Sequence, residues 1–304
     1  MTTRRKALEQ IAVGCTALAM PNWSLSSTNQ IMKRPIPSSG EKIGIVGLGT
    51  WQTFDVGSSS TAREPLKDVL KALINAGGNV VDSSPMYGSS EKVVGDLSSE
   101  LRLENKLFYA TKVWTTGKQS GINQMKSSMQ KMRCETMDLM QIHNLQDWKT
   151  HLNTLYDWKE RGIVRYIGIT HYVDSAHDEL ERIIKSENID FVQVNYSINN
   201  RNAEQRLLPT AKDKGVAVLT NRPYSGGSLF RKTKGIKLPE WALEFQCESW
   251  GQFFLKYLLG NPAVTCVIPG TSKERHMIDN LGAGIGGLPD EVMRNRMVKH
   301  LQSL

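Results

Sequence analysis

Nowhere in these 304 residues do five or six like charges stand together, and the formal net charge of +8 is dispersed along the chain. A basic arm for nucleic acid or for a membrane surface is thereby excluded, and the excess positive charge reads as solvated surface. Cysteine is scarce. Cys15, Cys134, Cys247 and Cys266 are far apart, with no CxxC and no Cys/His ligand spacing, so neither a disulfide framework nor a metal site is expected. Long hydrophobic runs are missing too: the apolar stretch from Ile11 to Ala19 falls well short of the roughly 20 residues that a membrane-spanning helix needs.

That stretch is instead read as part of an export signal. Arg4-Arg5 precede it, and small residues at Ala17 and Ala19 give an A-x-A site with cleavage before Met20. The paired arginines resemble the twin-arginine signal, which addresses folded proteins to the export machinery, so a periplasmic destination is expected. Cys15 after Ala-Val-Gly offers a second reading, a lipid-anchored form, but Ala12 stands where a larger aliphatic residue is usual. Gly14, Pro21 and the polar run NWSLSSTNQ argue against a docked helix. Residues 1–19 are thus assigned to the signal, 20–40 to a linker, and 41–304 to a folded domain.

From Lys42 on, apolar runs alternate with amphipathic stretches. The runs are IGIVGLG, NVVDSS, LFYATKVW, MDLMQIHN, VRYIGITH, FVQVNYS, VAVLTNR and VTCVIPGT, each followed by a helical pattern. Ile122, Met125, Met129 and Met132 form one helical stripe, which is read as core packing. Nearly continuous apolar strands between helices indicate a parallel sheet covered on both faces. Eight such units predict an α/β fold of the (β/α)8 TIM-barrel type. The rival, a doubly wound sheet, would carry G-x-G-x-x-G after its first strand, where this chain has Gly47-Leu48-Gly49-Thr50-Trp51.

A barrel gathers its active site at the C-terminal ends of its strands. Asp82 ends the second run with Tyr87 just beyond it, Lys112 lies near the end of the third, and His143 ends the fourth. Each alone could be a cap, a packing residue or a solvated charge. Together they can transfer a proton: Lys112 stabilises a phenolate at Tyr87, Asp82 holds the ammonium, and His143 adds a hydrogen bond to the reacting oxygen. Such a set suits a carbonyl that is accepting a hydride.

On GLGTW, Asp82-x4-Tyr87, the lysine of ATKVW, QIH and the Gln193 of VQVNYS, the chain resembles the aldo-keto reductase family from about Lys42 to Leu281. The resemblance implies NAD(P)H-dependent reduction of a small-molecule aldehyde or ketone to an alcohol, with Tyr87 as general acid, Lys112 and Asp82 tuning it, and His143 orienting the carbonyl. It implies a nicotinamide cofactor held in an extended pose, with Gln193 at its carboxamide and Thr50 and Trp51 lining the mouth. Thr170 and His171 stand where the family has Ser-Asn; Asn221, Arg222 and Pro223 replace an aromatic-Ser-Pro run. Thr271, Ser272, His276 and Asn280, with Lys273 and Arg275, occupy the region that holds the adenosine phosphate, so NADP is the expected cofactor and NADPH is favoured over NADH. Two other functions remain open on the same barrel: a nicotinamide-binding module without turnover, and a lyase or isomerase using Lys112 as a Schiff base.

Overall fold

The computed structural model describes residues 30–304. Ten strands and ten α-helices appear among them. A hairpin of β1 (Lys33–Pro35) and β2 (Lys42–Gly44) comes first, then β3 (Leu48–Gly49) and α1 (Ser60–Asn75), β4 (Val80–Asp82) and α2 (Ser90–Glu100), and β5 (Phe108–Val113) and α3 (Lys118–Met132). These are followed by β6 (Met137–His143) and α4 (Trp148–Glu160), β7 (Val164–Thr170) and α5 (His177–Ser186), and β8 (Phe191–Asn195) and α6 (Leu207–Asp213). The last part holds β9 (Ala217–Asn221) with α7 (Ser228–Lys232) and α8 (Trp250–Leu259), then β10 (Cys266–Val267) with α9 (Glu274–Gly282) and α10 (Glu291–Ser303).

Strands β3 to β10 pair in sequential order in one eight-stranded sheet, all in parallel. Two further parallel bridges, Val46 to Val267 and Gly49 to Gly270, join its edges and close the barrel. Glycine makes that seam possible. A Cβ at Gly49 would stand 2.8 Å from the Ile268 carbonyl, and one at Gly47 would stand 2.9 Å from both the Val80 carbonyl oxygen and its Cβ. The apolar run 43–49 is consequently split between β2 and β3 rather than forming one strand.

The period of two along each strand divides the core. Val81, Tyr109, Val113, Met140, Ile142, Val192, Val194 and Val218 face outward and pack under the helices. Residues of the opposite parity, including Val80, Phe108, Ala110, Leu139, Phe191, Ala217 and Leu219, form a second cluster without any helical member. That cluster fills the barrel interior. Continuing the same parity toward the C-terminal ends brings Asp82, Lys112, Gln141, His143, Gln193 and Asn221 onto the inner face. The barrel therefore has an apolar floor and a polar mouth.

The folded body begins earlier than the boundary at residue 41, and residues 30–40 are not linker. Lys33, Arg34 and Pro35 pair antiparallel with Gly44, Ile43 and Lys42, while Ile31 and Ile36 are buried. Ile36 and Ile43 join the interior cluster as its plug. Arg34 donates to the carbonyls of Leu259 (2.6 Å), Asn261 (3.3 Å) and Val264, satisfying acceptors left over at the end of α8. A short polar stretch gives no period from which such a hairpin could be read. Residues 1–19, assigned to the export signal, lie outside the described residues.

The methionine stripe packs as expected, with Met125 and Met132 fully buried and Ile122 and Met129 against the same core. Helix α10 is capped by Asp290, whose carboxylate accepts from the Met293 N–H at 2.8 Å. It docks through Met297, Val298 and Leu301. Arg294 ties it to the body through the Tyr196 hydroxyl (2.8 Å) and the Glu204 carboxylate.

Candidate active site

Asp82 is the hub of the barrel mouth. One carboxylate oxygen accepts from Lys112 Nζ at 2.7 Å; the other accepts from Gln141 Nε2 at 3.0 Å and Gln193 Nε2 at 2.9 Å. Lys112 is completely buried and also donates to the Ser83 carbonyl at 2.7 Å. Register brings these groups together, since Lys112 lies opposite Gln141, His143 opposite Thr170, and Thr170 opposite Gln193. Gln141 was not anticipated. It stands two residues before His143, and strand parity alone would have placed it on the same face.

Tyr87 reaches back over this cluster from the loop after β4. Lys112 Nζ lies 5.1 Å from the centre of the Tyr87 ring, and the His143 ring meets that phenol edge-on at 5.9 Å and 85°. Burial raises the Tyr87 pKa above its ordinary value and outweighs the opposing pull of Lys112. The phenol is thus held protonated, and the net shift is opposite to the lowering expected from Lys112 alone. For Lys112, burial favours the neutral amine, but Asp82 and Tyr87 together more than offset it and raise the pKa. His143 is driven down to about 2, first by burial and then by Lys112 and His171. Its imidazole is neutral.

The remaining sites predicted from sequence fall around the same mouth. Thr50 is fully buried and braces the end of β4, with Oγ1 3.0 Å from the Asp82 carbonyl oxygen and 2.9 Å from Ser83 Oγ. Trp51 stands at the rim, 54% exposed. Thr170 is buried at the end of β7. The next residue, His171, accepts the backbone N–H of Tyr172 at Nδ1 (3.0 Å), so its neutral ring carries the proton on Nε2. An amide donor has been exchanged for an imidazole donor without loss of a free N–H.

Asn221 Nδ2 lies 3.2 Å from the His171 carbonyl and 3.3 Å from Gln193 Oε1, whereas its own Oδ1 is buried without a partner. Arg222 adopts a left-handed φ of 52° and lays its guanidinium over Tyr172 at 5.6 Å. Buried Pro223 follows, and then Tyr224, whose hydroxyl donates to Asn280 Oδ1 at 2.5 Å. Thr271 accepts the Lys273 N–H at 3.1 Å, which shapes the entry to α9 beside Ser272. Lys273, Arg275 and His276 are exposed there. Burial, Arg275 and Lys273 all lower the His276 pKa, so its contribution to the positive field is weaker than theirs.

A protonated phenol backed by a buried ammonium, with a neutral imidazole beside it, can give a proton to a carbonyl oxygen as its carbon gains a hydride. A closed barrel with that chemistry at its mouth belongs among the carbonyl oxidoreductases. Comparison with known proteins agrees. The model of the aldo/keto reductase family matches residues 45–297, and the chain belongs to that family. Similar proteins include the uncharacterized oxidoreductase YqkF of Bacillus subtilis, 25% identical over 83% of this chain and 90% of its own. The methylglyoxal reductase YeaE of Escherichia coli is 26% identical over 66% of this chain and 72% of its own. Among solved structures, an aldo/keto reductase from Klebsiella pneumoniae in complex with NADP and acetate superposes with a TM-score of 0.71 at 22% identity, covering 85% of this chain and 93% of that one.

Proposed function

We propose that this protein reduces an aldehyde or ketone to an alcohol with a nicotinamide cofactor, and that Tyr87 is the general acid. The observation that carries the reading is the fully buried Lys112 ammonium, held at 2.7 Å by Asp82 and lying against the Tyr87 ring. Tyr87 gives its proton to the substrate oxygen. Lys112 stabilises the phenolate that results, and Asp82 keeps the ammonium in place. His143, being neutral, orients the same oxygen through a ring N–H.

The residues of the mouth fit a nicotinamide. A carboxamide offers both an N–H donor and a carbonyl acceptor, and the orphaned Asn221 Oδ1 beside Gln193 is a buried acceptor waiting for such a donor. Gln193, Asn221, Thr170 and His171 would hold the nicotinamide end; Thr271, Ser272, Lys273, Arg275 and Asn280 would hold the adenosine end. When bound, the cofactor supplies a hydride to the carbonyl carbon. Positive charge at Lys273 and Arg275 favours the additional phosphate of NADPH over NADH. Loss of reduced-cofactor absorbance with a panel of carbonyls, methylglyoxal included because of the E. coli relative's name, tests the activity. Binding without turnover would support a cofactor-binding module instead.

We further infer that residues 1–19 direct export by the twin-arginine route. Arg4-Arg5, the apolar stretch to Ala19 and the A-x-A site support this. A route that carries folded proteins suits an enzyme that acquires its cofactor before transit.

A further inference from the structure

We propose that Ser84 is a positioning residue that holds His143 as the tautomer protonated on Nε2, a role resting on the reading of His143 as a hydrogen-bond donor to the carbonyl. Ser84 is completely buried, and its Oγ lies 3.0 Å from His143 Nδ1. The direction of that bond follows from the other partner of the hydroxyl. Ser84 Oγ accepts the backbone N–H of Met86 at 3.3 Å, a group that can only donate. Among the described residues, His143 Nδ1 is the one acceptor within hydrogen-bonding reach of the Ser84 hydroxyl. Were the imidazole to donate from Nδ1 instead, that hydroxyl proton would be buried without an acceptor, which is unfavourable. Nε2 would then bear a lone pair toward the carbonyl oxygen, and two acceptors would face each other.

The ring has little freedom to escape this choice. Tyr87 stands edge-on to it at 5.9 Å, and the Trp114 ring lies 6.3 Å away on a 59° tilt. Ser84 sits in the same loop that delivers Tyr87, and the Tyr87 N–H donates to the Ser84 carbonyl at 3.0 Å. One short turn after β4 therefore sets the proton donor with its hydroxyphenyl arm and the orienting imidazole with its serine.

The test uses the protein labelled with nitrogen-15 at histidine, the His143 signals being assigned by their loss in His143→Gln. The parent should give the pattern of a neutral ring protonated at Nε2. In Ser84→Ala the second tautomer should appear, and kcat should fall by about tenfold, the worth of roughly one hydrogen bond, with the carbonyl KM little changed. Ser84→Thr keeps the hydroxyl and should recover both the tautomer and most of kcat. A parent ring protonated at Nδ1 would overturn the proposal. So would a Ser84→Ala enzyme with the parent tautomer, whether fast or slow, because any defect would then be one of packing. Parental turnover by His143→Gln would instead remove the role given to His143, whatever the tautomer proves to be.

Discussion

Lys112 Nζ lies 5.1 Å from the centre of the Tyr87 ring, yet the phenol keeps its proton more tightly than free tyrosine does. Burial decides the resting state, while the cation acts on the phenolate formed during reaction. If this is the arrangement of a general acid, Tyr87→Phe removes one hydroxyl and leaves the barrel intact. Turnover should drop by about 10² to 10⁴-fold, the usual worth of general acid catalysis, with the thermal midpoint and cofactor affinity near those of the parent. Near-parental rates from this variant would sink the mechanism.

Lys112→Met should damage both rate and fold. The change leaves the Asp82 carboxylate buried without its cation, and breaking a buried pair from one side costs about 3–5 kcal/mol. Gln141 and Gln193 still donate to Asp82, which places the loss toward the lower end. Adding Asp82→Asn should recover stability without recovering turnover. Denaturant titration of both variants checks this, and a double variant no more stable than the single would refute it.

His143 connects the site to the pH dependence of stability. Its folded pKa of about 2 lies below the ordinary histidine value, so between the two the unfolded chain binds the extra proton. Stability from this group is complete above about pH 6.5 and declines as pH falls, by up to about 1.4 kcal/mol per pH unit. His143→Gln should lose stability less steeply over the same range. Parallel slopes for parent and variant would mean that the imidazole is protonated in the folded state.

Cofactor preference should follow the charges at the entry to α9. Lys273→Met with Arg275→Met should bring the dissociation constants of NADPH and NADH together, and added salt should narrow the parental gap. His276→Ala should matter little at neutral pH, since burial and then Arg275 and Lys273 hold the ring toward the neutral form. A parental gap that survives the double substitution would place the phosphate elsewhere.

Export should depend on Arg4 and Arg5. Replacing both with lysine should leave an uncleaved, folded precursor inside the cell, detected by mass and by carbonyl reductase activity in the cytoplasmic fraction. Export unchanged by that substitution would point to another route.

Much of this molecule was legible along the chain, because eight apolar runs separated by helical stripes admit few arrangements and strand parity is local. Asp82, Lys112 and His143 could be assigned to strand ends on that ground alone. The hairpin over residues 33–44 could not, since its strands are short and its worth lies in plugging the barrel with Ile36 and Ile43. Nor could the direction of the Tyr87 shift: it depends on the balance between burial and a cation brought from another strand, and both are properties of packing. Gln141 and Ser84 escaped notice because a buried amide and a buried hydroxyl look ordinary in a sequence. Their roles exist only where the closed barrel sets one against Asp82 and the other against His143.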